Sequence, residues 1–372
     1  MPAAGRPSGA EVVVHLTRPA DFLGTHEAAA IERLARSVGD LTGWPYGGVR
    51  DGADGHHRRL YVVPDDVLLL ETARELGIES VGDIYGGVVP HPLFRSKIIA
   101  HPLVDGAAVH PDAWPVEFPA RVADVVLPGF SVFDGADAER AFHALRPQGP
   151  VRLKRPQAAA GRGQRVVADV GELRDALTEI GTEELRDVGL VLETNLDRVE
   201  TRSVGQLTVA GLTASYHGTQ RTTRDNADDS CYGGSDLVVV RGHWDDLEAR
   251  TRDDDVRLAI RQARRYDEAV MAWPGVLASR RNYDVAQGVD ALRANRSGVL
   301  EHSFRPGGAS AAEMAAIAAF AADPRRTIVR ASTFEVYGRE TVAPAEAAIL
   351  FQGIDPNLGP LLQYVLVHGD EA

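Results

Sequence analysis

The chain has 372 residues, of which 44% are hydrophobic and 25% charged, a balance that excludes a mostly disordered protein. Its 53 acidic and 40 basic residues give a net charge of -13, which argues against nucleic-acid and anionic-membrane binding, because neutralising phosphates needs a basic surface. The single cysteine, Cys231, excludes a disulfide framework and a multi-cysteine metal site. With no secretory signal and no apolar run of membrane-spanning length, we expect a soluble cytoplasmic protein.

Residues 1–118 are predicted to form an open α/β domain, since strand and helix patterns alternate there. Strands are predicted at 11–16 and 60–63, and helices at 27–38 and 67–76. The prolines at 115 and 119 indicate a boundary to the next domain.

Residues 119–202 are predicted to form a small central α+β domain, with helices at 136–145 and 171–180 and short strands at 151–154, 166–168 and 190–192. Residues 203–372 are predicted as a third, strand-rich domain. Its strands are expected at 203–220, 237–240, 283–286 and 298–301, and its helices at 256–273 and 310–321.

The chain has two lysines, Lys97 and Lys154, and all its other basic residues are arginine. Lys154 ends a predicted strand and is followed by a loop, residues 158–164, that contains Gly161 and Gly163. An ammonium group in that position can meet a phosphate from the side while the loop amides cover it. The alternative is a surface hairpin with a solvated lysine.

A second candidate nucleotide element is the segment GLVLETNLDRVE, residues 189–200. A hydrophobic strand ends in Glu193, with Leu196 three residues later and Glu200 seven residues later. This arrangement suits an adenine nucleotide, because backbone at a strand end can bind the base and a carboxylate can accept the ribose hydroxyls. An edge strand with solvated acids is the alternative.

Oxygen ligands and arginines come together in SRRNYDVAQG, residues 279–288, and SGVLEHSFRPGGAS, residues 297–310. Hard oxygen ligands with few protein contacts fit Mg²⁺ that is bound together with substrate phosphates. The candidate ligands are Asn282, Asp284, Glu301 and Ser303. The arginines that could clamp a transferring phosphoryl group are Arg280, Arg281 and Arg305. A solvated hairpin would carry similar residues.

Taken in order, these motifs resemble those of the ATP-grasp superfamily. Lys97 falls where its first nucleotide lysine is expected, and Lys154 resembles its second, before the glycine-rich loop. Glu193 and Leu196 resemble the adenine hinge, and Glu200 the ribose-binding acid. Residues 301–308, EHSFRPGG, are similar to the superfamily's E-x-N-x-R-P-G-G segment.

The resemblance implies an α+β ATP-grasp fold: an N-terminal α/β domain (1–118), a small central lid (119–202) and a C-terminal antiparallel-sheet domain with the metal site (203–372). More narrowly, segments such as GGVVPHP and YGGSDLVVVRG resemble an uncharacterised bacterial domain-of-unknown-function family with an ATP-grasp-like core. That family brings no known substrate.

Two departures from the superfamily pattern concern the metal site. Ser303 stands where the metal-binding Asn is usual, and the R-x-D segment is Arg280-Arg281-Asn282, with Asp284 two residues later. We prefer Asp284 as the first metal ligand because of its charge, with Asn282 as the alternative. These changes leave room for a protein that binds ATP with altered or absent turnover.

Residues 217–242 are polar and glycine-bearing, and the comparable region of ATP-grasp enzymes lies near the acceptor substrate. Candidate carboxylate-binding residues are Arg221, Arg224, Asn226 and Tyr232. An ordinary long hairpin loop is the alternative. His217 and His302 are candidates for proton transfer by position alone, and a structural role is the better expectation for both.

The resemblance implies a ligase that uses ATP and Mg²⁺, with Mn²⁺ as the alternative ion. It would join a small-molecule carboxylate to an amine or thiol through an acylphosphate and release ADP. A small-molecule kinase and a non-catalytic ATP-binding protein are the alternatives. The expected partners are small-molecule substrates, with neither nucleic acid nor membrane. Dimers are common in the superfamily, so the resemblance allows a homodimer, but nothing in the sequence locates an interface.

Overall fold

A computed structural model describes residues 9–50, 59–157 and 163–369 of the chain. Its N-terminal part is a parallel sheet of three strands, β1 (Ala10–His15), β2 (Tyr46–Arg50) and β3 (Arg59–Pro64), in the order β2-β1-β3. Helix α1 (His26–Thr42) packs on this sheet. It begins where the Thr25 hydroxyl accepts the Ala28 amide, and it ends at Gly43, whose φ of 72° suits glycine.

The predicted helix at 67–76 is shorter than expected, because its first residues pair as a strand. These are β4 (Leu68–Leu69), which lies beside β5 (Gly87–Val89) and then β13 (Leu277–Ala278) in a second small sheet. Helix α2 (Leu70–Glu75) follows β4, and a 3₁₀ turn, Lys97–Ala100, and helix α3 (Phe118–Val122) lead to the next region.

The central region is a four-stranded antiparallel sheet with helices packed against it. Its strands are β6 (Gly129–Val132), β7 (Val151–Lys154), β8 (Gln164–Val167) and β9 (Leu190–Thr194), in the order β6-β9-β7-β8. The helices are α4 (Gly135–Leu145), α5 (Val170–Ile180) and α6 (Thr182–Val188). Apolar side chains such as Phe142, Leu173 and Leu190 form the core between the layers.

The C-terminal region is an eight-stranded antiparallel sheet in the order β15-β14-β10-β11-β12-β16-β18-β17. Its strands are β10 (Asp197–Val209), β11 (Leu212–Arg224), β12 (Ser230–Arg241), β14 (Arg280–Val289), β15 (Asn295–Ser303), β16 (Ile328–Tyr337), β17 (Ala348–Asp355) and β18 (Gly359–Val367). The strand-like run predicted at 203–220 is divided between β10 and β11 of a hairpin, because the chain turns at Ala210 and Gly211, both with positive φ.

Helices cover both faces of this sheet. Helices α7 (Trp244–Arg250) and α8 (Asp254–Met271) lie on one face, called here the α8 face, and α9 (Ser310–Ala322) and α1 lie on the other, the α9 face. Successive residues of a strand point to opposite faces. Tyr283 and Val285 of β14 therefore join the core under α8, and Tyr216 of β11 joins the core under α9.

No helix in the described part of the chain is long and apolar enough to cross a membrane.

Candidate active site

Lys154, the second lysine, lies in a buried cluster of charged residues in the central region. Lys154 ends β7, which pairs with β9, and its Nζ lies 2.5 Å from Glu193 Oε1. Both residues are only 2% exposed. The other oxygen, Glu193 Oε2, lies 3.5 Å from His101 Nε2.

The ionised form of Glu193 is strongly favoured. Burial alone would raise the pKa of its carboxyl, but the Lys154 ammonium and the His101 ring outweigh burial and lower that pKa to about 2. The site thus holds a lysine cation and a carboxylate anion away from water. His101 was not among the residues that the sequence indicated, and its position four residues after Lys97 offers no motif by which to find it.

The other predicted nucleotide residues have different surroundings. Leu196 is buried against Leu127 and Ala286, whereas Glu200 is exposed and pairs with Arg202 at 2.9 Å. Gly163 takes a φ of 64°, and its carbonyl accepts the Arg155 amide. Gly161 lies outside the described residues.

The first lysine faces the large sheet. Lys97 opens the 3₁₀ turn Lys97–Ala100 and is buried, and its Nζ lies 2.5 Å from Glu301 Oε2 on β15. His101 follows the same turn, so one short segment contacts Glu301 at one end and Glu193 at the other. A 3₁₀ turn of this length spans about 8 Å, which keeps the two lysine–glutamate pairs in one neighbourhood.

The predicted oxygen ligands form a row on the α9 face of β14 and β15. Asp284 pairs with Glu301 across the two strands, and Asn282 pairs with Ser303. Asp284 Oδ1 accepts hydrogen bonds from the Ser203 hydroxyl at 2.8 Å and from Asn282 Nδ2 at 3.1 Å. Burial, reinforced by the neighbouring Glu301 charge, raises the pKa of Asp284.

This donor set fits a divalent cation that would also bind phosphate. Two adjacent carboxylates repel each other, and a cation between them would relieve that repulsion. Within residues 9–50, 59–157 and 163–369, no group of three or more His, Cys, Asp or Glu side chains is placed to hold a metal by itself. A cation held by Asp284 and Glu301 would therefore take its other ligands from neutral oxygens such as those of Asn282 and Ser303, from substrate or from water.

The Asn282 side chain is already hydrogen-bonded to a buried hydroxyl group. Its Oδ1 accepts a hydrogen bond from Tyr216 at 2.9 Å, and Tyr216 is fully buried. The Asn282 amide is neutral and its oxygen already has a donor, whereas Asp284 offers a carboxylate, so Asp284 is the stronger candidate for a cation. Gln220, which donates to Ser203 Oγ at 3.0 Å, lies on the same face and is exposed.

The three predicted arginines have different surroundings. Arg280 is buried with Glu313 of α9, and its Nη2 lies 2.7 Å from Glu313 Oε1. Its Nη1 donates to the carbonyl of Arg305 at 2.8 Å, so it anchors the backbone before the Pro-Gly-Gly loop. Arg281 lies on the α8 face, 3.2 Å from Asp267 Oδ1. The alternation of strand residues thus separates Arg281 from Asp284.

Glu313 is the centre of a buried network that the sequence did not indicate. It is 0% exposed and accepts hydrogen bonds from Tyr85 and Tyr216, each at 2.7 Å, besides its pair with Arg280. A charge in an alanine-rich helix is the only signal that could have pointed to it.

The four candidate substrate residues do not converge. Arg221 lies on the α8 face, where it pairs with Asp236. Arg224 donates to the Asp228 carbonyl within the β11–β12 turn. Asn226 donates to the Leu358 and Pro360 carbonyls, which joins that turn to the β17–β18 turn.

Tyr232 lies beside the Pro-Gly-Gly loop. A Cβ atom on Gly308 would come within 2.5 Å of the Tyr232 ring, so loop and ring are in contact. The Tyr232 hydroxyl shares hydrogen bonds with Ser235 at 2.7 Å and Thr333 at 3.2 Å, and burial raises its pKa to about 12. Of the four candidates, Tyr232 is the one that borders the loop after the carboxylate row.

Both histidines considered for proton transfer lie on the α8 face. Burial, helped by the Arg202 and Arg330 charges, lowers the pKa of His217 to about 4. His302 is buried between the Tyr266 hydroxyl at 3.2 Å and the Phe94 carbonyl at 2.8 Å. Both are therefore separated from Asp284 by the thickness of the sheet.

A family model matches almost the whole length of the chain. The model of a family described as "Protein of unknown function (DUF3182)" matches residues 12–365. The chain belongs to this family. No curated protein matches this DUF3182 chain.

Solved structures of ligases are similar to the DUF3182 chain in fold. Phosphoribosylamine–glycine ligase from Thermotoga maritima matches with a TM-score of 0.53 and 12% identity, over 97% of this chain and 93% of that one. D-alanine–D-alanine ligase from Bacillus anthracis matches with a TM-score of 0.47 and 11% identity, over 84% and 93%. The DUF3182 chain has the α+β ATP-grasp fold that the ordered motifs predicted.

Proposed function

We propose that this chain is an ATP- and Mg²⁺-dependent ligase that joins a small-molecule carboxylate to an amine or thiol. The observation that carries the proposal is the placement of the two lysines. Both are buried, each faces a glutamate, and one short segment links the two pairs. A buried ammonium is a strong phosphate ligand, because low-dielectric surroundings strengthen its attraction to an anion.

An anionic ligand could bind at the lysine–glutamate pairs by taking the place of a carboxylate beside the ammonium group. Each ammonium is already desolvated and held, so a phosphate would replace or share a carboxylate partner instead of stripping water from a free lysine. Lys154 would meet the nucleotide phosphates from the lid side, and Lys97 from the side of the large sheet. Leu196, buried near the strand end at Thr194, would border the base, and Glu200 would reach the ribose from its exposed position.

Asp284 and Glu301 are the residues that would hold Mg²⁺, with Ser303 beside them. A bound divalent ion neutralises charge on the transferring phosphoryl group. Arg280 would act indirectly, because its guanidinium holds the Arg305 carbonyl and so positions Arg305 and the Pro-Gly-Gly loop. Arg305 would then be the arginine that faces the phosphoryl group.

The proposed reaction has two steps. A carboxylate oxygen of the substrate attacks the γ-phosphorus, the bond from that phosphorus to the bridging oxygen breaks, and ADP leaves. The acylphosphate carbonyl is then attacked by an amine or thiol, which loses its proton while phosphate departs. Tyr232 and the loop at Gly308 border the space where the acceptor would lie.

A calorimetric titration with a non-hydrolysable ATP analogue and Mg²⁺ tests the nucleotide site. We expect saturable binding in the wild type and at least about tenfold weaker binding in Lys154→Met, because a charged hydrogen bond to phosphate is lost. Arg165→Met is the matched control, since it removes the same charge from the strand β8 beside β7 at an exposed pair with Glu179. Equal affinity in wild type and Lys154→Met, or no binding by the folded wild type, would overturn the proposal.

A second candidate function is ATP binding without turnover. The observation that favours it is the pairing of Asn282 with Ser303 where two stronger metal ligands are usual, with the Asn282 oxygen already bound to Tyr216. ADP release from pairs of carboxylates and amines or thiols separates the two candidates. Amine- or thiol-dependent ADP release supports the ligase, and nucleotide binding without ADP release under every pair supports the binding protein.

A further inference from the structure

His101 lies beside Glu193, the ion-pair partner of Lys154, at the carboxylate oxygen that Lys154 does not contact. The residue is 2% exposed, and its Nε2 lies 3.5 Å from Glu193 Oε2, while Glu193 Oε1 lies 2.5 Å from Lys154 Nζ. Each oxygen of one buried carboxylate therefore faces its own nitrogen.

The segment that carries His101 is fixed to the central sheet. The Ser131 hydroxyl donates to the Ile98 carbonyl at 2.5 Å, and the Ser131 amide donates to the Pro102 carbonyl at 2.9 Å. The ring itself lies against Gly129, where an added Cβ atom would come within 2.9 Å of His101 Nδ1. Packing and two hydrogen bonds thus hold the ring where Nε2 faces Glu193.

A buried ion pair is stable only when its remaining lone pairs are also satisfied. Lys154 approaches one oxygen of Glu193, and removing His101 would take the facing ring nitrogen from the other oxygen, in a side chain that is 2% exposed. Since that oxygen belongs to a carboxylate, the facing ring nitrogen is the one that carries a proton. The carboxylate is then held at both ends and cannot rotate freely.

We propose that His101 is a positioning residue for Lys154, which fixes the Glu193 carboxylate so that the ammonium is held in one place. Because His101 lies four residues after Lys97, the segment also sets the two lysines in a fixed relation. The consequence for nucleotide binding rests on the proposed function. The effect on Lys154 itself does not.

The two lysines of the chain make a direct measurement possible. In protein labelled with ¹³C and ¹⁵N at lysine, the side chains give two sets of Cε and Nζ signals, which Lys97→Arg assigns. We expect His101→Leu to shift the Lys154 signal and speed its Nζ proton exchange about tenfold, with the Lys97 signal unmoved. His101→Gln, whose amide can donate to Glu193, should restore most of the wild-type signal.

His26→Gln is the matched control, because His26 is also buried and lies 2.7 Å from an acid, Asp355, on the far strand β17. It should move neither lysine signal. An unmoved Lys154 signal in His101→Leu would overturn the proposal. Equal movement of both lysine signals would overturn it too, since it indicates a general change in structure.

Nucleotide affinity separates this proposal from the function on which it builds. We expect His101→Leu to raise the Kd for the ATP analogue about tenfold and His101→Gln to stay within about threefold of wild type. If the wild type does not bind the analogue while the Lys154 signal still responds to His101→Leu, the proposed function fails and the positioning role stands. If the wild type binds and His101→Leu binds equally well, the positioning role fails alone.

Discussion

The Lys154–Glu193 pair should make the central sheet less stable in acid, by an amount that the structure sets. The pKa of Glu193 is lowered from its ordinary value of 4.5 to about 2, a difference of about 2.5 units. At 1.36 kcal/mol per unit, ionised Glu193 contributes ~3 kcal/mol to folding at neutral pH. A carboxyl whose pKa is lowered on folding stabilises the protein above pH 4.5 and loses that contribution as the pH falls towards 2.

Glu193→Gln removes this titration and leaves the Lys154 ammonium buried without its partner. We expect the variant to be less stable than wild type by ~3–5 kcal/mol at pH 6. Between pH 6 and pH 3 the unfolded wild-type chain binds a proton at Glu193 that the folded protein does not bind. The difference in free energy of unfolding between wild type and Glu193→Gln should therefore shrink by ~2 kcal/mol. Adding Lys154→Met should recover most of the loss at pH 6, because a neutral pair replaces a lone buried charge.

Native-state hydrogen exchange of the β9 amides measures this locally, since each amide reports the free energy of its own opening. Exposed Glu172 provides the control, and Glu172→Gln should follow the wild-type pH dependence at β9. If wild type and Glu193→Gln lose stability in parallel down to pH 3, folding does not lower the pKa of Glu193.

Three further predictions concern the large sheet. Glu313→Gln leaves the buried Arg280 guanidinium without its matching negative charge. Urea unfolding should show a loss of ~3–5 kcal/mol in the free energy of unfolding, and a loss below ~1 kcal/mol would contradict the network. Gly205→Ala would place a Cβ atom 2.4 Å from the Tyr216 ring, so thermal unfolding should show ~1–3 kcal/mol of destabilisation, and an unchanged midpoint would refute the close contact. The pKa of His217 is lowered to about 4 by burial and two neighbouring arginines, so its NMR signal should not titrate above pH 5, and a midpoint near 6.5 would contradict that environment.

The order of motifs along the chain was enough to predict the fold. Lys97, Lys154, Glu193 and Glu301 succeed one another with strand patterns between them. A ligase of similar fold is only 12% identical in sequence, so overall identity is no guide to the fold. Helix periodicity was also sufficient for α8 and α9, because an apolar stripe or an alanine run marks a helix without knowledge of its partner.

Two strands could not be predicted because their local sequence patterns are weak. Strand β2, with the sequence YGGVR, carries two glycines and no alternation of apolar residues, so only its pairing with β1 makes it a strand. The start of the predicted helix at 67–76 became β4 for the same reason: pairing with β5 outweighed helix propensity at Leu68 and Leu69.

The sequence by itself determined which chemical groups this protein has for a nucleotide site: two lysines, a strand-end glutamate, and carboxylates on two strands that follow one another. Only the tertiary structure decided which of them meet. It set Arg280 with Glu313 and turned Arg281 to the opposite face, although the two are adjacent in the chain. It also brought His101 to Glu193 and Ser203 to Asp284. The physical reason is that a strand's side chains alternate in direction, so a single step in register moves a residue from the site to the far side of the sheet.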